Sequence, residues 1–354
     1  MLAKTMIIGR RLRPYRRMRV YYPSGDNAQP AVARLFSRRF LQDYIITMRP
    51  YLLFVSGITG IAGLSLTANV PAFASVLLVV AFFLSYGFGQ ALTDCYQVDT
   101  DSLSAPYRPL VRGVVRRRDV MAVSLIGLTA IGLLFAVCNP INIALAGLAV
   151  LGLATYTPFK RRWWAGPFYN AWIVAVLAAI AYACGLGLRG DAADSAAAVV
   201  ATLTAVFFGY ANFVLAGYFK DVSADRATGY RTLPVVFGFA KSARVSDVFA
   251  AIAIVATAAA VVSVLGGVPL ELRSLPVLGF LVAGIAATTL AQVRLHSVRK
   301  EAQAYHAIAP VVHAYILLLS AIAAAAEPRW WAGLALFYLA FELAMRRRPM
   351  NEQI

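Results

Sequence analysis

Apolar residues in this chain run in long blocks separated by short polar stretches. A block of about 20 apolar residues is long enough to cross a bilayer as a helix. Helices suit that solvent because each backbone polar group is satisfied within its own segment. Ten blocks are predicted. The first opens at Arg49–Pro50, with proline in the first helical turn, and runs to Val70. The next five cover Pro71 to Leu92, Val120 to Val137, the stretch after Asn139–Pro140 as far as Tyr156, Pro167 to Leu188 and Ala196 to Phe219. The last four lie near Val245–Leu265, Leu275–Ala291, Ile308–Ala325 and Trp330–Ala344. The final block is short and opens with two tryptophans, so it either spans or lies at the interface. The expected fold class is an all-α membrane protein, a bundle of nine to ten transmembrane helices. A basic tail (1–44) precedes the membrane body (45–326), and an extra helix with a basic tail (327–354) follows it.

Composition agrees: 60% of residues are hydrophobic and 14% charged, against about half and a quarter in a soluble domain. A net charge of +17 would suggest nucleic acid as the partner of a soluble protein. Here the distribution of that charge points to membrane lipid, with no nucleic acid. Letting all ten blocks cross puts every Lys and Arg except Arg189, Arg273 and Arg329 on one side. By the positive-inside rule that side is cytoplasmic and holds both termini. A bacterial inner membrane is the expected location, an organelle membrane the alternative. The Arg-rich first 40 residues read as a tail lying on anionic lipid, or else as an organelle presequence. Cys95, Cys138 and Cys184 have no paired spacing and suggest neither a disulfide framework nor a zinc site.

Two polar stretches interrupt the pattern on the basic side. In Thr93–Gly113, TDCYQVDTDSLSAPYRPLVRG, residues Asp94, Gln97 and Asp101 fall at i, i+3 and i+7. In Tyr218–Gly238, YFKDVSADRATGYRTLPVVFG, residues Tyr218, Asp221 and Asp225 repeat that spacing. Each set would share one face of a continuing helix. An aspartate at bilayer depth costs about 2.5–3.5 kcal/mol, so these four must face water, protein or a cation. Two unit charges about 4 Å apart repel by about 4 kcal/mol at an effective dielectric near 20. A divalent cation reverses that sign, and carboxylates, water and a phosphate-bearing substrate are the usual shell of magnesium. Arg108, Arg112, Lys160, Lys220, Arg226 and Arg231 surround the acids, and arginine suits bidentate phosphate contact. Lys160 follows Tyr156 by four residues, so the two share a face if that helix continues. Asp99 points away from the motif face and is expected to be solvated.

Blander readings stand beside these. Acids at one helix end are often a solvated cap. Arg116–Arg118 and Arg346–Arg348 set orientation. Phe82, Phe83, Phe207, Phe208 and Tyr210 could line a hydrocarbon slot or simply pack helices. His306 and His313 read as packing or interface residues. Asn170 could meet a ligand or a neighbouring helix.

The first stretch resembles the aspartate motif N-D-x-x-D-x-x-x-D followed by P-x-R-P of the UbiA superfamily of intramembrane prenyltransferases. KDVSADRATGYRTLPVVFG resembles that family's second motif, D-x-x-x-D-R-x-x-G-x-x-T-L-P. Tyr156-Thr-Pro-Phe-Lys160 is similar to its Y-x-x-x-K element, and Arg49–Pro50 to the start of its first helix. The resemblance implies a helical bundle whose two acidic faces hold a prenyl diphosphate through Mg2+, with transfer to an aromatic or lipid acceptor. Carried over by position, Asp94, Asp101, Asp221 and Asp225 hold the metal, with Gln97 as a further oxygen ligand. Lys160, Arg108, Lys220, Tyr156, Arg49 and Arg231 would meet the diphosphate. Gln97, Tyr218 and Asn170 would border the acceptor or prenyl pocket. The chain departs from the pattern at Thr93 (family Asn), Gln97 (family Asp) and Tyr218 (often Asp or Asn). Those departures keep a second outcome open, cyclisation of the prenyl diphosphate by a terpene cyclase on the same scaffold. A transporter or lipid carrier with an acidic cation site is the rival from another class, but the acids sit at helix ends rather than mid-span.

Overall fold

The computed structural model describes residues 31–189, 195–266 and 275–347. The basic tail up to residue 30 and the last arginine of the 346–348 cluster lie outside the described residues, as does Arg273.

Within them the chain is a bundle of α-helices. Helix α1 (Arg38–Met48) meets α2 (Leu53–Ser65) through a short 3-10 turn at Pro50–Leu52. These two segments are bent by 44° and together have the length and apolarity of one span. Then come α3 (Ala72–Asp94), the short α4 (Val98–Ser104), α5 (Arg117–Cys138), α6 (Ile141–Arg162), α7 (Gly166–Arg189) and α8 (Ala196–Tyr218). A second short helix, α9 (Val222–Ala227), precedes α10 (Leu233–Leu265), α11 (Leu275–Ser297), α12 (Tyr305–Ala326) and α13 (Trp331–Arg346). Among the described residues, eight helices are individually long and apolar enough to cross a membrane, or nine if the bent pair is one span. The protein is thus a multi-pass integral membrane protein.

The apolar blocks were legible, their ends less so. The first stops at Ser65, short of Val70, and α10 starts at Leu233 rather than near Val245. The chain breaks at Gly238, where φ is 77°, so α10 is two helical pieces joined at a kink. The last block forms one 16-residue helix. It returns along α12, with Trp330 packed against the apolar cluster that holds Leu64 and Ile180, and Phe341 against Phe54.

α12 is the axis of the bundle. Nine-tenths of its apolar window is buried inside the protein, whereas α5, α6 and α11 keep most of theirs for lipid. A helix apolar all round belongs in the interior. Close packing of α2 on α7 depends on a missing side chain, because a Cβ on Gly63 would collide with the Ala178 carbonyl.

The break after Asp94 is the feature that shapes the site. The predicted continuous helical faces do not form. α3 ends at Asp94 and a separate α4 starts after Gln97; α8 ends at Tyr218 and a separate α9 starts after Asp221, with neither Gln97 nor Asp221 making a side-chain cap. Both short helices lie at the same end of the bundle, joined by a Thr100–Thr228 hydroxyl contact of 3.1 Å.

Candidate active site

Asp94, at the last turn of α3, is buried and held from three directions. One Arg49 guanidinium nitrogen spans both its oxygens at 2.9 and 3.0 Å. Gln90, one turn earlier on α3, donates to Oδ1 at 2.6 Å, and Arg108 approaches to 3.7 Å. Arg49 reaches this position from a left-handed backbone (φ 54°) between α1 and the following turn. That conformation costs a non-glycine residue about 1–2 kcal/mol. Arg108 also forms a tight ion pair with Asp101 of α4. Burial raises the Asp101 carboxyl to about 6, with Arg108 opposing that rise. Arg108 itself is held further into its charged form by Asp101 and Asp94, which outweigh its burial.

The second half is built differently. Asp225 of α9 is fully buried, accepts from Thr232 Oγ1 at 3.1 Å and faces Lys160 Nζ at 3.5 Å. Its Oδ1 has no hydrogen-bond partner among the described residues. Burial raises the Asp225 carboxyl, and Lys160 opposes the shift. Lys160 projects from the last turns of α6 between two aromatic faces, 4.8 Å from the Tyr218 ring centroid and 4.9 Å from that of Tyr230. Such contacts contribute about 0.5–2 kcal/mol each, most where water is excluded. The Tyr218 hydroxyl meets that of Tyr156 at 2.7 Å. Gly166 leaves room for it, since any side chain there would run into the Tyr218 hydroxyl. Burial lowers the Lys220 ammonium to about 8, with Asp221 opposing the shift and Arg108 and Arg49 reinforcing it.

The two halves share one cavity of about 270 Å³. Its mouth is lined by Arg49, Gln97, Asp101, Arg108, Lys160, Lys220 and Asp221, with Asn170, Tyr156 and Tyr218 just inside. Below them the walls turn apolar, with Leu128, Ile131 and Phe135 of α5 and Ile173, Leu177 and Ile180 of α7. Phe135 stacks on the buried Phe82 at 4.4 Å between centroids. Asp94 lies behind Arg49 and Arg108, lining a smaller adjoining space with them.

Most residues expected at the site therefore come together. Arg231 does not: it is exposed and outside the cavity lining, while its neighbour Thr232 turns inward to Asp225. Asp99 is not simply solvated, because it pairs with Arg161. Gln97 commits its amide to Thr157 at 3.2 Å. Gln90, Thr232 and Tyr230 are partners that the sequence reading passed over. Gln90, at i−4 from Asp94, and Thr232, inside the T-L-P element, carried a local signal; Tyr230 carried none. His313 meets Tyr338 at 2.9 Å and so ties α12 to α13, an interface role.

Among the described residues, no three His, Cys, Asp or Glu side chains gather in a metal-holding cluster. The donor set still fits magnesium, which takes one or two carboxylates and completes its shell with water and substrate phosphate. Asp101 and Asp221, which line the cavity mouth, offer carboxylate oxygens of the required kind; Asp225 Oδ1, ion-paired with Lys160 at 3.5 Å, lies outside the cavity lining.

The site is thus a charged mouth, flanked by two acidic loops, over an apolar slot in a helical membrane bundle, a shape and charge that suit a ligand with an anionic head and a hydrocarbon tail. The profile of the UbiA prenyltransferase family matches residues 53–311, and the chain belongs to that family. It is similar to the digeranylgeranylglyceryl phosphate synthase of Halobacterium salinarum, 34% identical over 172 residues, 48% of this chain and 59% of that one. The match thus spans about three-fifths of that relative's length. The synthase of Thermococcus kodakarensis is 29% identical over 222 residues, 60% of this chain and 76% of its own. Among solved structures, a UbiA homologue from Aeropyrum pernix K1 superposes with a TM-score of 0.61 at 19% identity, covering 74% of this chain and 94% of that one. A UbiA homologue from Archaeoglobus fulgidus bound to GPP and Mg2+ gives 0.58 at 19% identity, covering 80% and 99%. These likenesses establish the fold.

Proposed function

We propose that this protein transfers an isoprenyl group from a prenyl diphosphate to an acceptor bound in the same cavity. The observation that carries the reading is the convergence of both acidic loops on one mouth, with Asp101, Asp221 and Lys160 all lining it. Asp94, Asp101, Asp221 and Asp225, with Gln97 as a neutral ligand, would hold Mg2+. When bound, Mg2+ supplies charge neutralisation at the diphosphate oxygens. Lys160 and Lys220 face the charge that grows on the leaving diphosphate as the allylic C–O bond breaks, and Arg49 and Arg108 exchange carboxylate for phosphate contacts. Donors fixed before the reaction stabilise such charge most effectively. The apolar slot between α5, α6 and α7 takes the hydrocarbon tail and keeps water from the allylic cation. Arg231 is too exposed to share this role. The catalytic unit corresponds to residues 45–326, with α13 appended.

The named relatives favour a phosphorylated glycerol lipid as acceptor over an aromatic ring. Cyclisation is the second reading, favoured by the rings of Tyr156, Tyr210 and Tyr218 on the cavity wall, where aromatic faces attract a cation. The site is proposed to face the cytoplasm of a bacterial inner membrane, because the loops on its side carry most of the Lys and Arg. The test is mass spectrometry of products from membranes given a panel of prenyl diphosphates, with and without a glycerol-phosphate lipid or an aromatic acid. Transfer predicts diphosphate release that needs an acceptor and stops with a chelator. A cyclic hydrocarbon formed without acceptor would assign the cyclase instead, and release unaffected by the chelator would remove the metal site.

A further inference from the structure

Asp221 occupies the N-cap position of α9, yet its side chain makes no capping hydrogen bond. Aspartate at that position ordinarily folds back onto the amide two or three residues ahead. Here the amide two residues ahead, Ser223 N–H, donates instead to Glu301 Oε1 at 2.6 Å, and the Ser223 hydroxyl donates to Glu301 Oε2 at 2.6 Å. Glu301 comes from the connection between α11 and α12, 78 residues away. That connection is itself fixed: Gln303 Oε1 accepts from the backbone N–H of Arg299 at 2.8 Å and of Lys300 at 3.2 Å. Val298 and Ala304 anchor its ends in the core. Asp221, relieved of capping, lines the cavity mouth.

We infer that Glu301 is a positioning residue: it caps α9 in place of Asp221 and so leaves the Asp221 carboxylate available to the cation that would accompany the diphosphate. The inference rests on the function proposed above. Each helix N-terminus has amides that need an acceptor. Without Glu301, Asp221 holds the N-cap position from which a carboxylate ordinarily accepts from Ser223 N–H, and a carboxylate bonded to its own helix competes poorly for a cation. The clasp also joins the second acidic loop to the base of the central helix α12, although Glu301 itself lines no part of the cavity.

The experiment reads Mn2+ binding by EPR to the full chain in detergent, with inorganic pyrophosphate present. Glu301→Ala should weaken Mn2+ binding about fivefold, the equivalent of one lost cap. Glu301→Gln keeps an oxygen for Ser223 N–H and should stay within about twofold of wild type. Because the effect runs through Asp221, adding Glu301→Ala to Asp221→Asn should weaken binding by less than about twofold. Ser223→Ala, which removes only the hydroxyl contact, should cost about twofold and serves if Glu301→Ala does not fold. Unchanged binding in Glu301→Ala, or equal weakening in both backgrounds, overturns the inference. Wild-type protein that binds no Mn2+ would instead overturn the metal-site reading, and the inference with it.

Discussion

The two acidic loops look alike in sequence and differ in how their charge is held. In the first, Asp94 and Asp101 are latched by arginines, Arg49 and Arg108, on permanently charged planar groups. In the second, Asp225 faces a single ammonium, Lys160, which is held by aromatic faces as well as by the acid. The first half is a closed set of ion pairs that a ligand has to exchange. The second keeps a buried carboxylate oxygen without a hydrogen-bond partner. On the function proposed above, a ligand would meet the second half through Asp221 and Lys160 at the mouth, and the first half by trading arginine contacts. Removing one member of a buried ion pair leaves the other charge uncompensated, so the two halves should respond differently to substitution.

The largest effect is expected at the acids. Asp94→Ala or Asp225→Ala should lower turnover at least a hundredfold while leaving membrane insertion intact, measured as diphosphate release from purified membranes. Retained turnover in both would remove the shared-site reading. Next comes Lys160→Met, which should reduce kcat about a hundredfold with a smaller change in KM, since its charge matters most as the leaving group departs. Arg49→Met removes the cation that spans both Asp94 oxygens; a rise of about tenfold in KM for the prenyl diphosphate is expected. The smallest effect is at Tyr230→Leu, which removes one of two faces around Lys160 and should cost about threefold to tenfold in kcat. If Tyr230→Leu exceeds Lys160→Met, the aromatic faces do more than hold the lysine.

The sequence revealed the membrane helices because lipid imposes a length and a composition that few other constraints disturb. Both acidic loops and the Tyr156–Lys160 pair were also readable, since α6 does continue through Arg162. The helix breaks after Asp94 and Tyr218 were not. An i, i+3, i+7 spacing suits a continuing helix as well as it suits a turn followed by a short helix laid over the mouth. Arg231 and Thr232 show the same blindness at one residue's scale, because only the fold decides which of two neighbours turns inward. The Lys160–Tyr230 contact and the Glu301 clasp join residues far apart in the chain, and local periodicity carries no information about them. The bend at Arg49 had a local cue in the following proline, although nothing there announced a left-handed arginine.

The central claim is that the two acidic loops meet over a single mouth, and cysteine cross-linking tests it most directly. With Cys95, Cys138 and Cys184 replaced, Thr100→Cys paired with Thr228→Cys places thiols where two hydroxyls stand 3.1 Å apart. The account predicts a disulfide on mild oxidation, seen as linked fragments after cleavage between the loops and lost on reduction. Two thiols that each react with maleimide yet never join would contradict it.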